Sequence, residues 1–368
     1  MLGVVGCLAA GGHDAERALL VKGLVLGPGV GGCRGHRTNL ELTVVGSGEV
    51  LVGVIVCGIR APYRARAPAG ARLVTVRTLG RVTVPVAVDC VVVSYNSADD
   101  LPLCLRSLAD QTGVEVVVTV VDNCSSDDSV AVAQAHGARV LANTSNRGFA
   151  AAVNQGLRGG ASPWVLILNP DARLAPGGVR ALMDATSRGG RVGCVGPRTT
   201  DVEGTVYPSA RAFPGVFTAL VHGLLGRVWP GNPATRRYHA GHLAGDVTGE
   251  VDWVSGCCML LPRAAWEQVG GFDERYFMYV EDMDLCFRLR QVGWRTVFEP
   301  GATVVHVGGR SSRRRPLRSI YHHHRGAIRF YWRSAAPWHR PVTGPLATLV
   351  LVIRGVVLGV LTAVSSRR

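Results

Sequence analysis

Lysine is almost missing from this chain: Lys22 is the only one, so a net charge of +14 is carried almost wholly by arginine. A balance this basic favours anionic partners, namely phosphates, nucleic acid or an acidic membrane surface. Nucleic acid is the weakest of the three and is not expected as a partner. The chain has no zinc-finger spacing, no RRM-like signature and no basic-aromatic repeat. Its ten cysteines include no CxxC pair and several lie in apolar runs. That pattern fits buried, reduced thiols in a cytosolic protein and argues against a disulfide frame or a structural zinc. The N-terminus lacks a basic segment and a full apolar core, so no signal peptide is expected. What is present is ample apolar material: 368 residues, 47% of them hydrophobic, suffice for one large domain or two ordinary ones.

Residues 1–85 are Gly-rich with little periodicity. They read as a poorly ordered extension, or as sequence upstream of the true start, with a small accessory domain as the alternative. Apolar runs such as 50–56 have strand character, but nothing around them pairs convincingly. From Val84 the pattern sharpens. Strands are expected at 90–94, 114–121, 139–141, 165–168 and 192–195, and helices at 101–108, 127–136, 149–157 and 180–187. This alternation implies a mainly parallel sheet with right-handed crossovers. Regularity drops between about 200 and 250, then resumes with an apolar run at 253–261, a helix at 282–292 and strands at 296–298 and 303–306.

Chemistry-bearing residues gather at the ends of these strands. The run 165–168 stops at Asn169-Pro170-Asp171, and Pro170 cannot extend a ladder. Asp171 therefore sits at a strand's carboxyl end, where open α/β sheets bind ligands. A hard divalent cation there would take one or two carboxylates plus phosphate oxygens. Asp122 ends another buried strand and can accept hydrogen bonds from a base or ribose, or simply cap the next helix. Asn146-Arg147-Gly148-Phe149 is a turn into a helix that would aim N–H groups at a phosphate. Downstream, Asp273 to Asp284 packs five acids among aromatics. Glu281 and Asp284, three apart, share a helix face, and Asp282 points elsewhere as the freer general base. His306 ends the last strand and is either a half-buried core residue or a second metal ligand.

Taken in order, Val91-Val92-Val93-Ser94-Tyr95-Asn96, Val121-Asp122-Asn123, Asn146-Arg147-Gly148-Phe149, Leu168-Asn169-Pro170-Asp171, Gly271-Phe272-Asp273, Glu281-Asp282-Met283-Asp284-Leu285 and His306 form a set. The set resembles the family 2 glycosyltransferases of GT-A fold, especially bacterial rhamnosyltransferases of cell-wall and O-antigen assembly, over about residues 88–310. The resemblance implies a Rossmann-like α/β domain at 86–310 that binds a nucleotide-sugar donor. It gives Tyr95, Asn96, Asp122 and Asn123 to the nucleoside, and Asn146, Gly148, Asn154 and Asn169 to the sugar-diphosphate pocket. Asp171 takes the metal-binding place of the DxD motif, whose first Asp is here Asn169. His306 is the late ligand to Mg or Mn, Asp282 the catalytic base of an inverting displacement, and Trp253, Gly256 and Glu281 the acceptor wall. The Asn-Pro-Asp variant favours activated L-rhamnose as donor, with a UDP-linked galactofuranose or hexose as alternative. A catalytically inactive membrane-bound scaffold is the rival outside enzymology.

The tail, 311–368, mixes basic and aromatic residues with an apolar stretch at 346–364 broken by Arg354. The cost of a central Arg favours a helix lying in the membrane interface over one crossing it. The expectation is a cytoplasmic protein, peripheral on the inner face of the cell membrane, meeting a polyprenyl-diphosphate-linked glycan acceptor. Gln291-Val292-Gly293-Trp294-Arg295 reverses the Trp and Arg of a processive synthase motif, which argues against such a synthase.

Overall fold

The computed structural model describes residues 39–45, 49–55, 73–74, 85–215, 218, 221, 229–239, 247–308 and 315–365. The chain divides into two units, Met1–Val82 and Thr83–Arg368. In the first, β1 (Asn39–Val45) pairs antiparallel with β2 (Glu49–Ile55) and with β3 (Leu73–Val74). Residues 50–55 of the run at 50–56 thus have a partner strand, in the register Val45 to Glu49, and residue 56 lies outside the described residues. The rest of 1–84, on which the expectation of an unstructured extension bears, lies outside the described residues.

The second unit opens with β4 (Val86–Ser94), α1 (Leu101–Ala109), β5 (Val114–Asp122), α2 (Ser129–Ala135), β6 (Arg139–Ala142), α3 (Phe149–Leu157) and β7 (Trp164–Leu168). These strands are parallel neighbours in the order β7-β4-β5-β6. Burial on both faces explains their near-continuous apolar sequences. In β7, Val165 and Ile167 pack into one core layer and Leu166 and Leu168 into the other. Each such side chain removed from water contributes about 1.5–3 kcal/mol. Helix α1 buries Leu101, Cys104, Leu105 and Leu108, one stripe at helical spacing. The helix expected from Asp127 starts later because Asp127 Oδ1 accepts the Ser129 N–H at 3.1 Å and so lies outside it.

Then follow β8 (Ala172–Leu174), α4 (Gly178–Ala185), β9 (Val192–Thr200), β10 (Val206–Tyr207), β11 (Ala210–Arg211), α5 (Pro233–Tyr238), β12 (Gly249–Val251), β13 (Trp253–Val254), β14 (Cys258–Pro262), α6 (Arg263–Gln268), α7 (Glu281–Gln291) and β15 (Arg295–His306). They complete a ten-stranded mixed sheet, mostly parallel, in the order β12-β15-β9-β14-β7-β4-β5-β6, with β8 on β15 and β10 on β9. Strand β14 is inserted antiparallel between β7 and β9. The apolar run at 253–261 forms two strands, β13 and β14, separated at Ser255-Gly256-Cys257. Conversely, the two strands expected at 296–298 and 303–306 are one, β15, with a register shift between Glu299 and Thr303. Glu299 Oε1 accepts the Gly301 N–H there at 2.8 Å and holds the bulge.

The chain ends in α8 (Pro316–Ser334) and α9 (Arg340–Ser365), packed on each other. Glycines permit the approach: a Cβ on Gly344 would lie 2.6 Å from the Trp332 ring, and one on Gly355 3.3 Å from His324. Arg354 Nη1 lies 2.9 Å from His324 Nε2, so the charge that interrupts the apolar run is turned toward α8. Leu346, Leu349, Ile353, Val356, Val360 and Leu361 are all more than half exposed along α9, and the helix is long and apolar enough to cross a membrane. The basic run at 310–314 lies outside the described residues.

Candidate active site

A cleft of about 720 Å³ opens over the carboxyl ends of β4, β5 and β7 and under α8. Asp171 follows β7 directly, in the turn that Pro170 forces. His306 comes from 135 residues away by register, because β15 runs antiparallel to β8 with His306 opposite Ala172 (306 − 171 = 135). The result is Asp171 Oδ1 at 3.1 Å from His306 Nε2, with the Asn169 side-chain nitrogen 3.3 Å from the same ring atom. Gly308 donates its N–H to Asp171 Oδ2 at 3.1 Å. Burial alone would raise the Asp171 carboxyl, but the His306 hydrogen bond and charge, with the backbone N–H of Gly308, hold it below the ordinary carboxylate value. One nitrogen and one carboxylate oxygen about 3 Å apart match two adjacent ligands of a small divalent cation. Among the described residues no third His, Cys, Asp or Glu joins them. The protein can therefore supply two ligands, leaving substrate oxygens and water for the rest.

Asp282 lines the same cleft, in the first turn of α7. Its Oδ2 accepts the Gly256 N–H at 2.8 Å and its Oδ1 the Met283 N–H at 2.8 Å. The helix is entered through Tyr279 and Val280, both left-handed at φ 70° and 72°. A β-branched residue in that conformation is strained, and such strain gathers where a side chain must be aimed. Burial raises the Asp282 carboxyl against the lowering effect of these N–H groups and of Arg211. Glu281 is 5% exposed, its Oε2 has no partner, and burial followed by the charge of Asp282 pushes it well above the ordinary range. Asp284 faces away, fully buried and bonded to Tyr276, Arg288 and Arg333.

The nucleotide-side residues are only partly together. Tyr95, Asn96, Asn123, Asn146, Gly148 and Asn169 line the cleft, as do Trp253, Gly256 and Glu281 on the other side. Gly148, at φ 88°, is required: a Cβ would sit 2.5 Å from the Phe277 carbonyl, which accepts the Phe149 N–H at 2.7 Å. Two residues assigned by resemblance do not reach the cleft lining. Asp122 is buried and accepts both the N–H and the hydroxyl of Ser125, organising the turn beneath Asn96. Asn154 spends its amide on the Phe272 backbone, at 2.9 and 3.0 Å, and on Glu274 at 3.0 Å. It locks Gly271-Phe272-Asp273 onto α3.

Sequence reasoning missed several cleft residues. Arg315 lies over the Tyr95 ring and Arg318 over Phe277, at 5.8 and 4.7 Å from the ring centroids. Tyr207, Arg211 and Tyr238 line the opposite part of the cleft, from the stretch where periodicity failed. The only available signal was compositional: aromatic residues alternating with arginine between 207 and 238.

An α/β sheet that, with α7, brings Asp171, His306 and Asp282 to one cleft is the arrangement of a GT-A glycosyltransferase fold. Comparison with known proteins agrees. Residues 89–245 match Glycosyl transferase family 2. The chain is 38% identical to an N-acetylglucosaminyl-diphospho-decaprenol L-rhamnosyltransferase of Mycobacterium tuberculosis (strain H37Rv) over 268 residues, 67% of this chain and 87% of that relative. It is 35% identical to rhamnosyltransferase WbbL of Escherichia coli (strain K12) over 84 residues, 23% of this chain and 32% of that one. A solved mannosyltransferase, PcManGT from Pyrobaculum calidifontis with GDP-Man and Mn2+, superposes with TM-score 0.45 at 18% identity, over 76% of this chain and 80% of that one. The chain belongs to glycosyltransferase family 2 and is a glycosyltransferase.

Proposed function

We propose that the protein transfers L-rhamnose from dTDP-rhamnose to a hydroxyl of a GlcNAc-diphospho-polyprenol, with inversion at the anomeric carbon. The observation that carries this reading is that Asp282 lines one cleft with Asp171 and His306, in a chain 38% identical to a relative named for that acceptor and sugar. Tyr95, Asn96 and Asn123 hold the nucleoside, with Asp122 shaping their turn. Asn146, Gly148 and Asn169 line the sugar-diphosphate pocket, and Asn154 supports it from behind. Arg315 and Arg318 add cations to the donor side.

Asp282 takes the proton of the acceptor hydroxyl as that oxygen attacks the anomeric carbon and the nucleoside diphosphate leaves from the opposite face. Such a base contributes about 10²–10⁴-fold. Its two backbone N–H contacts fix the carboxylate so that no reorientation is needed during transfer. Trp253, Gly256 and Glu281 form the acceptor wall. Asp171 and His306 would hold Mg²⁺ or Mn²⁺, which when bound supplies neutralisation of the leaving diphosphate.

The exposed apolar face of α9 and the basic, aromatic α8 beneath it support a peripheral position on the cytoplasmic membrane face. The test is nucleotide release from dTDP-, UDP- and GDP-sugars, with and without Mn²⁺ and a GlcNAc-diphospho-lipid. Metal- and acceptor-dependent release from dTDP-rhamnose alone is expected. Release from a UDP-hexose would keep the mechanism and replace the sugar, and no release from any donor would favour an inactive scaffold.

A further inference from the structure

Arg211 is held more firmly than a surface arginine. Its strand β11 pairs with β13, Arg211 opposite Trp253, and its guanidinium carbon lies 4.9 Å from the Trp253 ring centroid. The Tyr207 and Tyr238 rings flank it at 5.2 and 5.5 Å. Nε donates to the Pro208 carbonyl at 2.9 Å, Nη1 to the Tyr238 hydroxyl at 3.3 Å and Nη2 to the Tyr207 hydroxyl.

A guanidinium has five N–H donors. Three are used, which leaves one on each terminal nitrogen, and among the described residues no carboxylate pairs with this cation. A fixed fork with two spare N–H groups is the geometry that takes two oxygens of a phosphate. The aromatic cage removes the entropy cost of holding it there.

Its position selects which phosphate. Trp253, in register with it, lies three residues before Gly256, whose N–H holds Asp282, and Asp282 is near enough to feel the charge of Arg211. Arg315 and Arg318 lie instead against Tyr95 and Phe277, beside the Gly148 turn. A GlcNAc whose hydroxyl meets Asp282 carries its diphosphate one sugar ring away, on the anomeric carbon.

We propose that Arg211, with the Tyr207 hydroxyl beside it, binds the diphosphate of the acceptor. The cleft then has two diphosphate subsites: the donor's by Asp171 and His306, and the acceptor's on the Asp282 side. This rests on the transferase reading above. It adds that the protein selects acceptors by their phosphates as well as by their sugar.

The experiment is steady-state transfer by the full-length protein to two acceptors, a GlcNAc-diphospho-prenol and an uncharged alkyl GlcNAc glycoside. Wild type, Arg211→Met, Arg211→Lys and Tyr207→Phe are compared. Arg211→Met should raise KM for the diphospho acceptor by about ten- to a hundredfold, the cost of losing hydrogen bonds to a charged group. KM for the neutral glycoside and for the donor should change less than about twofold on the same reasoning. Arg211→Lys should fall between, and Tyr207→Phe, which removes one half-exposed hydroxyl, should show the same selectivity at smaller size. Equal losses on both acceptors, or a changed pH profile with unchanged acceptor KM, would overturn the inference while leaving the transferase reading intact. Wild-type transfer to neither acceptor from any donor would remove both.

Discussion

Asp171 and Asp282 face one cleft, and each accepts backbone N–H groups, from Gly308 at 3.1 Å and from Gly256 and Met283 at 2.8 Å. Their proton affinities nevertheless move in opposite directions. At Asp171 a histidine at hydrogen-bond distance outweighs burial, and the carboxyl is lowered; at Asp282 burial outweighs two N–H groups and the more remote Arg211, and it is raised. The difference lies in the partner, and on the proposed reading it divides the labour: the lowered carboxyl suits a cation and the raised one suits proton transfer.

The comparison can be broken first at its base. Asp282→Asn should lower kcat by about 10²–10⁴-fold, since the amide keeps the shape and loses the proton acceptor. Equal turnover by the variant would sink the assignment. A second attack is on the turn that joins the two sides. Gly148→Ala puts a Cβ against the Phe277 carbonyl at positive φ, and should cost about 1–3 kcal/mol of stability, read as a lowered Tm. An unchanged Tm would mean that the turn relaxes freely.

A third variant tests the brace behind α7. Arg333 donates to Asp273 at 2.8 Å and lies 3.2 Å from Asp284. Arg333→Ala should cost about 2 kcal/mol in denaturant unfolding, less than for a lone buried pair because Arg288 still holds Asp284.

The smallest effect expected is on pH dependence. Because Asp282 is raised, kcat/KM should fall on the acid side at a pH above the ordinary aspartate value of about 3.9. Stability follows the other sign at Asp273. Burial would raise its carboxyl, but hydrogen bonds and charge from Arg275, with the charge of Arg333, hold it at about 2. Its contribution is therefore present above the unfolded value of about 3.9 and is lost as pH falls toward about 2. An acid limb below that of an ordinary aspartate would contradict the raised base.

The two halves of the catalytic unit differed in how far the sequence disclosed them. From β4 to β7 the boundaries are readable because strands covered on both faces leave unbroken apolar runs and their connections are short helices with a buried stripe. Asp171 is visible for the same reason, standing where an apolar run meets Pro170. Its pairing with His306 is implied in the sequence only by the family resemblance, since the contact depends on the β8–β15 register and on a bulge at Glu299 that sequence suggests only as an interruption. Arg211 is hidden more deeply. It lies on a two-residue strand, in a stretch where pairing and cation–ring contacts set the conformation in place of hydrophobic periodicity. Asn154 shows the reverse problem: the motif pointed to the ligand, and the folded chain uses the amide to hold Phe272. The β1–β2 hairpin was readable in part: Asn39–Val45 alternates polar and apolar residues and Gly46-Ser47-Gly48 is a turn signal before Glu49–Ile55, a pattern obscured by the Gly-rich composition around it.

The division of labour in the cleft is tested most directly by donor binding to Asp171→Ala and Asp282→Asn, measured by calorimetry with dTDP-rhamnose in the presence and absence of Mn²⁺. The account predicts that Asp282→Asn binds donor as wild type does, with the same gain from metal, and that Asp171→Ala loses the metal-dependent part. Indistinguishable isotherms for the two variants would contradict it.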